Sequence, residues 1–123
     1  MVNCLLIDKN ASERQRLVGI LSGLGLKCDE RAGTEEGIRF CHERRPDVVV
    51  MEASGMTATK EFLRLVKYQG RTTRRPVVIL YADTPDLEAM GETIMDGASD
   101  FLMMPFDGDL LRFKLEQAGV LPH

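Results

Sequence analysis

Two carboxylates, Asp8 and Glu52, stand where short apolar runs end, and they are the side chains best placed to carry chemistry. Asp8 closes the run Leu5-Leu6-Ile7 and is followed by Lys9. Glu52 closes the run Val48-Val49-Val50 and Met51. In an open parallel sheet, functional groups collect at the carboxyl ends of the strands. The spacing therefore predicts that Asp8, Lys9 and Glu52 share one site.

Two further apolar runs end in residues that would border the same site. Val77-Val78-Ile79-Leu80 ends in Tyr81 and Ala82, and Phe101-Leu102-Met103 ends in Met104 and Pro105. Neither end supplies a carboxylate or a cation. The chemistry expected at this edge therefore depends on Asp8, Lys9 and Glu52.

The elements that position these residues alternate between short apolar runs and amphipathic stretches. This pattern is typical of βα units and a parallel sheet. Strands are predicted near 3–7, 27–31, 47–52, 76–81 and 100–103. Helices are predicted over 12–24, 34–43 and 59–68, from 84 to about 97, and after Asp107. Thr84 is expected to cap the fourth helix with Pro85 at its first position, and Asp107 is the candidate cap of the last helix. We expect an α/β fold, a flavodoxin-like (βα)5 domain with a doubly wound five-stranded parallel sheet, and the polar segment 27–31 suits an edge strand.

Length and composition indicate one small globular domain. The chain has 123 residues, 44% of them apolar, and a net charge of -3 from 16 basic and 19 acidic residues. We expect a single domain over 1–123 without an output domain, located in the cytoplasm, with no bias toward DNA or membrane. Cys4, Cys28 and Cys41 form no Cys-x-x-Cys pair. They are expected to be reduced and to pack as small apolar residues, with a redox sensor as the alternative.

Three segments resemble the receiver domain of bacterial two-component response regulators. They are Pro46-Asp47-Val48-Val49, Gly97-Ala98-Ser99-Asp100-Phe101-Leu102 and Pro105-Phe106, and the resemblance extends from residue 1 to about residue 121. The resemblance implies an acidic pair that binds Mg²⁺, an aspartate that accepts a phosphoryl group, a Thr or Ser, and a Lys before Pro. Phosphoryl transfer needs such positioning and such cations.

At these positions the chain keeps only the first acid. The replacements imply a degenerate pseudo-receiver without the usual acceptor Asp, and the positions are Asp8, Lys9, Glu52, Tyr81 and Met104. Two unit charges about 4 Å apart interact by about 4 kcal/mol at an effective dielectric constant of about 20, and a divalent ion doubles that repulsion. We therefore expect Lys9 to lie between Asp8 and Glu52 as a counterion, with Mg²⁺ binding weak or absent and no other cofactor.

The roles of the other replacements stay open. Glu52 either imitates a phosphorylated aspartate, or is a structural replacement paired with Lys9, or is itself phosphorylated. Tyr81 either caps the pocket or projects to the surface beside Phe101, where receivers dock partners. Met104 is expected to pack in the interior. The resemblance also implies a cis peptide bond before Pro105.

A basic loop before the fourth strand offers a second site. Lys67, Arg71, Arg74 and Arg75 could bind a phosphate-bearing ligand such as a cyclic dinucleotide through guanidinium forks. The alternative is a solvated loop.

These features give three functional hypotheses. The first is a stand-alone pseudo-receiver that is not an enzyme and acts by protein contact, independently of phosphorylation. Its partner would be a histidine kinase, a phosphotransfer protein or a downstream effector, bound through the fourth helix, fifth strand and fifth helix. The second is a cyclic dinucleotide or phosphate-ligand sensor that uses the basic loop. The third, an enzyme with Asp8 and Glu52 as an acid–base pair, is disfavoured because Lys9 would keep both acids ionised.

Overall fold

The computed structural model describes residues 1–68 and 75–122 and contains a single five-stranded parallel sheet in the order β2-β1-β3-β4-β5. Strands and helices alternate along the chain, which confirms the predicted (βα)5 fold. The elements are β1 (Asn3–Ile7), α1 (Ala11–Gly23), β2 (Lys27–Arg31), α2 (Thr34–Arg44), β3 (Val48–Glu52), α3 (Met56–Tyr68), β4 (Val77–Ala82), α4 (Leu87–Met95), β5 (Asp100–Met103) and α5 (Gly108–Gln117).

Helices cover both faces of the sheet, so that the central strands are buried on both sides. One apolar layer joins the sheet to Leu17 and Leu21 of α1 and to Leu111 and Leu115 of α5. We call it the α1/α5 layer. The other contains residues of α2 and α3, such as Phe62. The continuous aliphatic runs of β1, β3 and β4 fit this environment. The polar strand β2 lies at the sheet edge, as predicted.

Two helices begin two or more residues away from the predicted start, whereas α1 begins one residue early, at Ala11. Helix α3 begins at Met56, three residues earlier than expected, so that Thr59 lies inside its first turn. Helix α4 begins after Asp86, whose side chain accepts a hydrogen bond from Glu88 N at 3.1 Å. The expected cap at Thr84, with a proline at the first helical position, is therefore wrong. Asp86 caps more directly because its carboxylate binds a free N–H of the first turn.

Glycines allow two helices to turn sharply into the next strand. Gly25 follows α1 with a φ of 92°, and Gly97 follows α4 with a φ of 114°. A side chain would be strained in either backbone conformation. None of the helices in the described residues is long and apolar enough to cross a membrane.

Candidate functional site

Strands β1 and β3 bring the two carboxylates of the predicted site together. Ile7 is paired with Met51, so Asp8 and Glu52 follow side by side at the carboxyl ends of the two strands. Glu52 is in turn paired with Tyr81 of β4, so Asp8, Glu52 and Tyr81 form one row across three strands. A cavity of about 280 Å³ opens beside this row. Its lining includes Asp8, Lys9, Asn10, Glu52, Ser54 and Thr59.

Asp8 is buried, and both of its carboxylate oxygens accept hydrogen bonds. Only 5% of the residue is exposed. The backbone N–H of Asn10 donates to Oδ1 at 2.9 Å, and the hydroxyl of Tyr81 donates to Oδ2 at 2.6 Å. The Arg14 guanidinium donates to the Asp8 carbonyl oxygen at 2.7 Å. The Asn10 and Tyr81 donors replace the water that a buried carboxylate loses.

Tyr81 is fully buried in the α1/α5 layer. Its exposed fraction is 0%, and its ring meets the edge of Phe106 at a centroid distance of 5.8 Å and an interplanar angle of 71°. Burial, the hydrogen bond to Asp8 and the nearby carboxylate charges raise the pKa of the Tyr81 phenol well above its usual range. The phenol is therefore a neutral donor that holds its proton.

The predicted partner face at Tyr81 and Phe101 is wrong, because neither residue is exposed. Phe101 is only 7% exposed and belongs to the apolar layer formed with α2 and α3, on the other side of the sheet from Tyr81. Tyr81 can be buried because Asp8 satisfies its hydroxyl. Tyr81 therefore does not project to the surface, and it is not among the residues that line the cavity beside Asp8 and Glu52.

Lys9 does not bridge the two carboxylates. It is exposed, and the described residues contain no ion pair between Lys9 and either Asp8 or Glu52. Glu52 instead accepts a hydrogen bond from Ser54 N at 2.7 Å through Oε1. The prediction that Lys9 is the counterion of Asp8 and Glu52 is therefore wrong. Because backbone and phenol donors already satisfy Asp8, the Lys9 ammonium stays hydrated and avoids the cost of burial.

Met104 is half-buried and packs against the α1/α5 layer. The peptide bond between Met104 and Pro105 is cis, as the resemblance implied. The Met104 thioether carries no positive charge. The environment around the row is therefore apolar on the side of Phe106 and Met104.

The residues at this site do not fit a Mg²⁺ ion. Mg²⁺ prefers oxygen ligands in octahedral geometry and is usually held by carboxylates. Both oxygens of Asp8 are engaged, and Lys9 stands where a second acid would be needed. Within residues 1–68 and 75–122, no three His, Cys, Asp or Glu side chains are grouped closely enough to hold a metal.

The basic loop falls largely outside the described residues, since Arg71 and Arg74 are not among them. Lys67 and Arg75 are described and exposed. Lys67 borders a groove of about 580 Å³ beside α3, whereas Arg75 borders a cleft of about 560 Å³ with residues that include Met1 and Asp47. The cavity that Lys67 and Arg75 share measures about 30 Å³. That cavity, formed by described residues, is too small for a nucleotide.

Sequence reasoning missed three groups that complete the site. They are the backbone of Asn10, the guanidinium of Arg14 and the backbone of Ser54. Asn10 carried a detectable signal because its side chain caps α1 by accepting from Glu13 N at 3.0 Å. An Asn two residues after a strand-end acid fits such a cap. Nothing in the spacing indicated Arg14 or Ser54.

Comparison with solved structures identifies the fold as that of response-regulator receiver domains. The chemotaxis response regulator CheY4 of Vibrio cholerae superposes with a TM-score of 0.81 at 23% identity, covering 98% of this chain and 99% of CheY4. The receiver domain of the sensor histidine kinase PA1611 from Pseudomonas aeruginosa gives 0.76 at 20% identity, covering 94% and 95%. That structure has a magnesium ion coordinated in the active site cleft.

Two transcriptional regulators match most of this chain by sequence. The transcriptional regulatory protein AfsQ1 of Streptomyces coelicolor is 26% identical over 115 residues, which cover 94% of this chain and 50% of AfsQ1. The DNA-binding transcriptional regulator NtrC of Escherichia coli is 30% identical over 112 residues, covering 91% of this chain and 24% of NtrC. The chain thus spans half or less of these relatives. No family model matches it. The structural matches show that this chain has the fold of CheY-like receiver domains.

Proposed function

We propose that this chain is an atypical receiver domain of the cytoplasm that signals through protein contact and without a phosphoryl-transfer cycle. The observation that carries the proposal is the buried hydrogen bond between the Tyr81 hydroxyl and Asp8 Oδ2. It engages one carboxylate oxygen of the acid that would bind a metal.

Phosphoryl transfer lacks its main requirements here. The reaction depends on in-line positioning and on cations that offset charge on the phosphoryl oxygens. Met104 supplies no charge where the resemblance expects a lysine, and Lys9 is exposed. Glu52 is one methylene longer than the expected aspartate and already binds Ser54 N. We propose accordingly that Mg²⁺ binds weakly or not at all.

Glu52 is a candidate for a fixed imitation of the phosphorylated state. Its carboxylate lies at the mouth of the cavity and is only partly buried. A purely structural role for Glu52 would require an ion pair with Lys9. That ion pair is absent from the described residues. This favours the imitation hypothesis, in which the negative charge that other receivers acquire by phosphorylation is permanently present.

The partner we propose is a signalling protein, either a histidine kinase, a phosphotransfer protein or a downstream effector. Exposed apolar side chains support a contact surface formed by α4, β5 and α5. They are Leu87, Ile94 and Met95 of α4, Met103 of β5, and Leu110 and Phe113 of α5. Clusters of exposed apolar side chains commonly mark protein interaction sites.

Incubation with acetyl phosphate and Mg²⁺, followed by intact-mass measurement, tests the absence of phosphorylation. We expect no adduct on the native chain. The matched control carries Lys9→Asp, Glu52→Asp, Tyr81→Thr and Met104→Lys, which restore the residues that the resemblance implies, and it should gain a base-labile phosphoryl group. A stoichiometric adduct on Glu52 of the native chain would refute the proposal.

Co-purification from the native cell tests the contact surface. Leu87→Lys with Met95→Lys should abolish the association because two ammonium groups would be desolvated at the interface. Ser22→Lys adds a charge at an exposed position of α1 and should leave the association intact. Equal loss with both variants would contradict the assignment of the surface.

A further inference from the structure

Two cysteines face each other across the first two strands. Cys4 of β1 and Cys28 of β2 are register partners in a parallel pair. Neighbouring strands lie about 4.8 Å apart, which falls inside the Cα separation of about 4.4–6.8 Å that a disulfide requires. Both side chains contribute to the α1/α5 layer and therefore project from the same face of the sheet.

The two thiols differ in burial. Cys4 is 1% exposed, whereas Cys28 is only partly buried, on the edge strand. Among the described strands β2 pairs with β1 alone, so its backbone can shift slightly without breaking a second ladder. A reagent from solvent can therefore reach Cys28, whereas Cys4 is buried in the interior.

We propose that Cys4 and Cys28 form a reversible oxidation site, in which a peroxide closes a disulfide between β1 and β2. The site is independent of the function proposed above, because it lies near the amino ends of the strands. Asp8 and Glu52 lie at the opposite, carboxyl ends of β1 and β3.

The electrostatics of the pair fit this assignment. A hydrogen-bond interaction with Cys4 lowers the pKa of the Cys28 thiol, against the opposing effects of burial and of Glu30 and Asp29. The same interaction, with burial, raises the pKa of Cys4 well above its usual value. Of the two thiols, Cys28 is therefore the one that loses its proton more readily. Burial raises the pKa of Cys41 to about 12, which makes Cys41 unreactive.

The reaction proceeds in two steps with hydrogen peroxide as oxidant. The Cys28 thiolate attacks one peroxide oxygen, the O–O bond breaks, and the departing hydroxide takes a proton from solvent to form water. The Cys4 sulfur then attacks the sulfur of the Cys28 sulfenic acid. The S–O bond breaks, the hydroxyl leaves with the Cys4 proton as a second water, and the S–S bond forms. Two electrons pass from the sulfurs to the peroxide.

Peptide mapping after oxidation tests the site. The native chain is treated with hydrogen peroxide, blocked with N-ethylmaleimide under denaturing conditions, and digested with trypsin. Cleavage after Lys9, Lys27 and Arg31 should yield residues 1–9 linked to residues 28–31. Cys41 should be alkylated on the peptide 40–44. A reductant should abolish the link and restore alkylation of all three cysteines.

Two variants and a thermal measurement sharpen the test. Cys41→Ser should retain the link, whereas Cys28→Ser should lose it. Closing the loop between Cys4 and Cys28 should raise the melting temperature by about 10 °C, reversibly with reductant. Three remaining free thiols, a link between separate chains, or a sulfinic acid on Cys28 with Cys4 still free would each overturn the proposal. The map of the native chain decides the matter even if a variant fails to fold.

Discussion

Replacing Tyr81 by Phe removes one oxygen atom and tests the contact on which the proposed function rests. The hydroxyl donates to Asp8 Oδ2 at 2.6 Å, and the residue is fully buried. The ring keeps its edge contact with Phe106, so the variant isolates the hydrogen bond. Asp8 would retain only the backbone donor of Asn10 for its side chain.

The expected loss of stability follows from the charge on the acceptor. A hydrogen bond to a charged group contributes about 1.5–3 kcal/mol, and a buried carboxylate that loses a donor is not readily rehydrated. We expect Tyr81→Phe to lower the free energy of unfolding by about 2 kcal/mol at neutral pH, a change of about 30-fold in the folded-to-unfolded ratio. Urea denaturation measures this directly, because the midpoint should fall while the slope stays constant.

The pH dependence gives a second, independent signature. The unfolded phenol ionises at about pH 10, while the folded phenol of Tyr81 keeps its proton beyond that pH. Above about pH 10 the unfolded state therefore binds fewer protons than the folded state, so the stability of the native chain falls as the pH rises. At about pH 11 this loss amounts to about 1.4 kcal/mol, and the advantage of the native chain over Tyr81→Phe should shrink accordingly.

Tyrosinate absorbance identifies the phenol responsible. The chain has two tyrosines and no tryptophan, so Tyr68→Phe leaves Tyr81 as the only phenol. In this variant the absorbance should stay constant through pH 10 and rise only when the chain unfolds. The reasoning is refuted if Tyr81 titrates near pH 10 in the folded chain, or if Tyr81→Phe unfolds at the same urea concentration as the native chain.

Three substitutions elsewhere test the packing and the turns by urea denaturation. Leu17→Ala should lower the free energy of unfolding by about 2–5 kcal/mol, because it empties a fully buried position between α1 and the sheet. Asp107→Ala should lower it by about 1 kcal/mol through loss of the cap bond to Leu110 N, which measures 2.9 Å. Gly97→Ala should lower it by about 1–3 kcal/mol because φ is 114° there. Its control, Gly91→Ala, lies in open space within α4 and should be neutral or slightly stabilising, and equal effects at both glycines would contradict the argument.

Local patterns in the sequence predicted the strands well. The runs through Val48-Val49-Val50 and Val77-Val78-Ile79 are aliphatic throughout, which is the signature of strands covered on both faces. Helix starts depended on individual caps. Asp107 was predicted as a cap and is one, accepting from Leu110 N. At α4 the pair Thr84-Pro85 resembled a stronger start signal than Asp86, and that prediction failed by two residues.

The partners of the site residues could not be predicted, because they depend on where side chains point after the fold forms. The bond between Tyr81 and Asp8 joins residues 73 positions apart. Charge alone favoured Lys9 as the partner of Asp8, since a cation next to two carboxylates is the simplest arrangement. The buried, neutral Tyr81 hydroxyl is the more favourable partner for Asp8 because it requires no desolvation of an ammonium group.

The length of the Tyr81 side chain explains how its hydroxyl reaches Asp8 across the sheet. Strand β3 lies between β1 and β4, so the backbones that carry Asp8 and Tyr81 are about 10 Å apart. A Thr or Ser hydroxyl could not cross that gap, whereas a phenol reaches Asp8 by passing over the row that contains Glu52. The phenol supplies Asp8 with a neutral donor, so that both carboxylate oxygens accept hydrogen bonds without a lysine. Glu52→Asp alone would therefore change one residue of the row, while Asp8 and Tyr81 would remain hydrogen-bonded to each other.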